Sequence, residues 1–138
     1  MASKREKIHA LLAELGVTGE GNRAYYEGYF VCFNQQLYYE AHEVLEELWQ
    51  PNRQQPNGDF FRGLIQLAGA FVHLQKQKRE PALRLLRMGR ENLAKYGPEH
   101  EGLEIGKVLA LIEEWIIQVE RAQPVMPQIV PQIPWGRP

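Results

Sequence analysis

His42-Glu43-Val44-Leu45-Glu46 is the stretch of this sequence whose residue types could carry chemistry. It looks like the zinc-protease signature His-Glu-x-x-His, in which two histidines bind the metal and the glutamate acts as base, with Glu46 in place of the second histidine. On a helix, His42 and Glu46 share a face and can present two ligands. His73 could supply a third from a neighbouring helix, so that His42, Glu46 and His73 would make a workable set for zinc or iron. A di-iron site would need Glu-x-x-His in each of two helices, and the third and fourth helices expected below contain none. No other cofactor is expected. Without a metal, His42 would be a general base oriented by Glu46, with Arg62 or Gln66 gripping an anionic or carbonyl substrate. The plainer alternative is a structural network, in which Glu43 or Glu46 pairs with Arg62 and the histidines hydrogen-bond to carboxylates or backbone.

Such residues need elements to hold them. From about Leu37 to Trp49 a wheel at about 100° per residue gathers Ala41, Val44, Leu45, Leu48 and Trp49 into one apolar arc. His42 and Glu46 fall at its edge; Trp49 lies inside it and reads as core. A fourth helix, about Phe60 to Lys76, is apolar over more than half its circumference and so belongs at the centre of the fold. Its polar stripe is Arg62, Gln66 and His73, with Gly69 between them, where small residues permit close approach. A buried polar stripe needs partners, because an unpaired buried polar group costs about 1–3 kcal/mol. His42, Glu43 and Glu46 are the partners at hand.

Around these two helices the spacing predicts four more. Ser3 and Glu6 form a capping box ahead of Ile8, Leu11, Leu12 and Leu15, and Gly16 ends that helix. A second covers about Asn22 to Asn34, and the third stops before Pro51. The segment Gln50 to Gly58 reads as loop. Pro81 suits the first turn of a fifth helix, which closes at Gly97-Pro98, and Leu103 to Ala122 makes the sixth. The expected fold is an all-α array of about six amphipathic helices over residues 1–123, followed by a proline-rich extended tail, 124–138.

Two linked stretches, Tyr39-Glu40-Ala41-His42-Glu43-Val44-Leu45-Glu46-Glu47-Leu48-Trp49 and Phe60-Phe61-Arg62-Gly63-Leu64-Ile65-Gln66-Leu67-Ala68-Gly69-Ala70 with His73, resemble one small all-helical family of bacteria and plastids. It is known as domain of unknown function 309. The resemblance extends over about Tyr25 to Leu93 and includes Phe33-Asn34. It implies a helical fold and makes His42, Glu43, Glu46, Trp49, Arg62, Gln66 and His73 the family-type positions, but it implies no activity.

Composition sets outer limits. The 138 residues suffice for one domain with its own core, and 44% hydrophobic with 24% charged residues is the balance of a folded globule. A net charge of -1 lacks the bulk signature of a nucleic-acid or membrane-surface binder. Lys76 to Lys95 carries a local basic excess that could serve a nucleic-acid or protein binding module, yet it has no interleaved exposed aromatics and reads as a solvated helix face. Cys32 excludes an internal disulfide and reads as a small buried hydrophobe, and His9 and His100 read as surface residues. No stretch approaches the roughly 18 apolar residues of a membrane span, and the charged start is no secretion leader; a cytosolic setting is expected. Tail residues Val125, Ile129, Ile133 and Trp135 need a groove. The chain itself or a second copy, making a homodimer, could supply it.

Overall fold

The computed structural model describes residues 2–121 and 131–135. Helix α1 (Lys4–Glu14) starts on the expected capping box, with Glu6 N–H donating to Ser3 Oγ and Ser3 N–H to Glu6 Oε1. Then come α2 (Asn22–Asn34), α3 (Tyr38–Asn52), α4 (Gly58–Gln75), α5 (Arg79–Leu93) and α6 (Ile105–Arg121). Among the described residues the fold is all-α apart from one small departure. Between α5 and α6 two residues each of β1 (Glu99–His100) and β2 (Leu103–Glu104) pair antiparallel, Glu99 opposite Glu104. Strands this short leave no periodicity to read in a sequence.

Two helix ends also differ from expectation. Helix α3 runs through Pro51, whose ring and missing N–H deprive Glu47 C=O of its partner. That loss falls in the last turn, where carbonyls lack helical partners anyway, and Asn52 Nδ2 donates to Leu48 C=O at 2.8 Å. Helix α5 stops at Leu93, short of Gly97-Pro98, and the intervening Tyr96 turns inward, accepting Phe60 N–H and donating to Pro56 C=O.

From α2 onward, consecutive helices pack on one another, and α4 lies in the middle with α3 on one side and α5 on the other. Short connections make these neighbours antiparallel. Phe71 of α4 is fully buried and meets Phe33 and Trp115 edge-on at 5.5 and 4.7 Å, tying α4 to α2 and α6. Tyr29, also fully buried, donates its hydroxyl to Leu64 C=O at 2.6 Å. Helices α4 and α5 approach closely because glycine faces glycine. A Cβ on Gly63 would sit 2.8 Å from Leu93 Cγ, and one on Gly89 3.1 Å from Gly63 O.

The described part of the tail folds back on its own chain. Ile133 is buried, its N–H donating to Asn34 Oδ1 at 2.8 Å and its C=O accepting from Asn34 Nδ2 at 3.2 Å, while Trp135 stacks on Phe30. Val125 and Ile129, the other expected anchors, lie outside the described residues.

Candidate functional site

Helix geometry brings the polar edges of α3 and α4 together. Tyr39, His42, Glu46 and Trp49 recur at spacings of three and four and therefore share a face of α3. Arg62, Ile65, Gln66, Gly69, Val72 and His73 follow the same rule on α4. With Leu85 of α5 they border a cavity of about 380 Å³, within the size range of small-molecule sites. Gly69 keeps it open, since a Cβ there would find only Leu85 Cδ1, at 3.2 Å, within 4 Å. Ile65, Val72, Leu85 and the half-buried Trp49 make the walls largely apolar. Tyr39, 58% exposed, stands at the mouth.

Six of the seven residues singled out from the sequence line this space: His42, Glu46, Trp49, Arg62, Gln66 and His73. Glu43 does not. It turns toward α1, where Lys4 Nζ lies 2.6 Å from its Oε2. Burial alone would raise the Glu43 pKa, but hydrogen bonds from Lys4 and Tyr39 and the charges of Lys4 and His42 overcome it, leaving the carboxyl below its ordinary value. The ion pair expected between Arg62 and Glu43 or Glu46 is not formed. Glu46 instead holds His42 Nε2 at 3.0 Å and lies 3.8 Å from Lys4 Nζ. Arg62 is exposed, with no acidic partner among the described residues. The physical reason is α1: its first turn lays Lys4 and Arg5 on the acidic face of α3 and takes up the carboxylates meant for Arg62.

Each imidazole has one sealed nitrogen. His42 Nε2 is taken up by Glu46 at 3.0 Å, so the ring nitrogen left over is Nδ1, which is buried and 3.8 Å from Glu43 Oε1, beyond hydrogen-bond reach. The nitrogen a general base would use therefore does not open to the cavity, and the pair orients a wall and does not present a catalytic dyad. His73 Nδ1 is likewise buried without a partner. Burial first, then the charges of Lys78, Lys76 and Arg84, hold His73 below the ordinary histidine value, so it is neutral at pH 7. Gln66 is 7% exposed; its Oε1 accepts from Asn92 Nδ2 at 2.8 Å, which fixes the amide and leaves its N–H donors without a partner among the described residues.

Among the described residues no three His, Cys, Asp or Glu side chains form a group that could hold a metal ion, and His42, Glu46 and His73 share the cavity without converging as ligands. Burial pushes the Cys32 thiol up to about 12, as for an inert core residue. His100 is not a free surface residue: its Nε2 lies 2.7 Å from Asn57 Oδ1 and its ring packs on Phe60. Three of the basic residues between Lys76 and Lys95 pair with acids: Arg87 with Glu120 at 2.8 Å and Arg90 with Glu113 on α5, and Lys95, just past its end, with Asp59 at 2.7 Å. Among the described residues no helix is long and apolar enough to cross a membrane. Sequence reasoning missed Lys4, Leu85 and Asn92 as members of the site. They come from helices outside the motif pair, and only packing places them there.

The family model described as Domain of unknown function (DUF309) matches residues 26–85. Residues 26–85 are thus similar to a DUF309 domain. It takes in most of α2, all of α3 and α4 and the start of α5, and every residue lining the cavity falls within it, from Tyr39 to Leu85. Lys4 and Asn92, which hold Glu46 and Gln66, lie outside the DUF309 match. The chain is also similar to the uncharacterized protein YpuF of Bacillus subtilis (strain 168), 30% identical over 99 residues that make up 68% of this chain and 55% of YpuF. It thus spans about half the length of the curated relative it matches. No solved structure matches the chain.

Proposed function

We propose that the cavity between α3 and α4 binds a small amphipathic molecule without chemical change to it. One observation carries this reading: apolar walls of Ile65, Val72, Leu85 and Trp49 adjoin a small number of polar residues, among them Arg62, which has no acidic partner among the described residues. A purely structural network would bury its polar atoms against one another, because each unmade bond costs about 1–3 kcal/mol. Here Arg62 and Gln66 border open space, and neither the guanidinium nor the Gln66 amide nitrogen has a partner among the described residues. The sealed nitrogen of His42 argues for binding over catalysis, and the absence of a three-ligand group among the described residues gives no support to a metal-dependent hydrolase. The pairing of Arg87, Arg90 and Lys95 with Glu120, Glu113 and Asp59 takes three of the basic charges between Lys76 and Lys95 away from the nucleic-acid alternative. A cytosolic setting suits Cys32, a free buried thiol.

The test is a titration of uniformly ¹⁵N-labelled protein with 1-octanol, following indole N–H resonances. Trp49 should shift saturably while Trp115, buried in the core, stays put. A Trp49 resonance that never moves rejects the binding site.

A further inference from the structure

The polar groups bordering the cavity have a sign. Its one carboxylate, Glu46, is engaged by His42 at 3.0 Å and faces Lys4 at 3.8 Å. At one end its unengaged polar groups are donors: the Arg62 guanidinium, and the N–H groups of Gln66, whose amide oxygen is held by Asn92; the neutral His73 stands at the other end. Arg62 and Gln66 lie four apart on α4, one turn, so both can address a single head group. A guanidinium presents parallel N–H bonds that match a carboxylate bidentately, and the amide adds a further donor beside it. Between Gln66 and His73 the same face of α4 is bare and apolar. Gly69 contributes no side chain, Val72 follows, and Leu85 closes the far wall from α5. From Gln66 to Val72 the helix rises roughly 9 Å, room for an extended chain of about six to eight carbons. Arg62, unlike Arg87 and Arg90, has no acid opposite it among the described residues.

We propose that the ligand is an apolar-chain carboxylic acid, bound as its anion, with the carboxylate on Arg62 and Gln66 and the chain running past Gly69 to Val72 and Leu85. This rests on the binding reading above and goes beyond it by fixing the ligand's charge and its direction in the site. A neutral chain of the same length keeps the apolar contacts and loses the charge-assisted bonds, and an amine would place a cation against Arg62.

Octanoate, 1-octanol and octylamine are titrated against the full-length protein and against Arg62→Gln, with the Trp49 indole resonance as readout. Arg62 is exposed and makes no ion pair among the described residues, so its replacement should leave the fold intact, which a thermal melt checks. Octanoate is expected to bind about tenfold more tightly than 1-octanol, with octylamine weakest, and Arg62→Gln is expected to erase the preference by weakening octanoate far more than 1-octanol. Equal affinity for octanoate and 1-octanol, or a preference that survives Arg62→Gln, overturns the acid assignment and leaves the binding site standing. No Trp49 response to any of the three overturns both.

Discussion

Glycines 63 and 69 stand six residues apart on α4, and the same substitution at each should change stability in opposite directions. Exchanging an interior helical glycine for alanine gains about 0.8–1 kcal/mol in helix propensity. At Gly69 the added methyl meets only Leu85 Cδ1, at 3.2 Å, the far end of a flexible side chain that can retreat into the cavity. Crowding removes a few tenths of that gain, so Gly69→Ala should stabilise by about 0.5 kcal/mol, roughly 2 °C in Tm for a chain of this size. At Gly63 the methyl meets Leu93 Cγ at 2.8 Å, Leu93 Cδ2 at 3.1 Å and Asn92 Cβ at 3.2 Å. A branch point cannot rotate away, so α4 and α5 must part, at a cost of about 1–3 kcal/mol that outweighs the propensity gain. Gly63→Ala should therefore lower Tm by several degrees. Gly69→Met extends the logic, because its side chain enters the cavity: it should melt no lower than wild type and bind neither 1-octanol nor octanoate. Calorimetry and the Trp49 titration together make the assay. A Gly69→Ala variant destabilised by more than about 1 kcal/mol would show that no open space adjoins that face and would refute the reasoning.

Further outcomes are expected. Glu46→Ala breaks a part-exposed pair with His42 and strands no buried charge, so the loss should stay below about 1 kcal/mol, a few degrees in Tm by calorimetry; a drop several times larger would restore the buried-network reading. Because burial and nearby cations hold the folded-state pKa of His73 below its unfolded value, the native protein resists protonation there: stability should be flat above pH 7 and fall as the pH drops through 6.5 toward the depressed pKa, a slope that His73→Gln removes in chemical denaturation at stepped pH. Glu43 acts at lower pH, its depressed pKa giving stability that is present above about 4.5 and lost below, and Lys4→Met should abolish that part. Asn34→Ala cuts both bonds to the Ile133 backbone and should cost about 1–2 kcal/mol, and, since residues 131–135 seat on their own chain, a variant ending at Gln123 should scatter light with the same subunit number as the full chain; a halved mass on truncation would place the tail in a neighbour's groove instead.

What could be read in advance divides along the range of the interaction. Capping at Ser3, the apolar arc of α3 and the all-round apolarity of α4 are set within a few residues, and the helices stand where those patterns put them, with α4 central. Spacing alone put His42 with Glu46 on one edge of α3 and Arg62, Gln66 and His73 on one stripe of α4, and the need of a buried polar stripe for partners is what paired the two edges, which border one cavity. Which carboxylate meets which cation did not follow. Glu43 goes to Lys4, and Arg62 is left without an acid among the described residues, because α1 packs across α3, a contact more than thirty residues away in sequence that no periodicity encodes. Asn92 holding Gln66 has the same origin in α5 packing. Pro51 shows the opposite limit, a local rule about proline outweighed at a helix end where its cost is small.

The central claim is that the space between α3 and α4 holds an amphipathic acid in one orientation. A crystal of the full chain grown with 8-bromooctanoate tests it most directly. The account predicts an anomalous bromine peak against Val72 and Leu85, with the carboxylate density on Arg62 and Gln66. A cavity closed by its own side chains, or bromine found only on the outer surface, would contradict it.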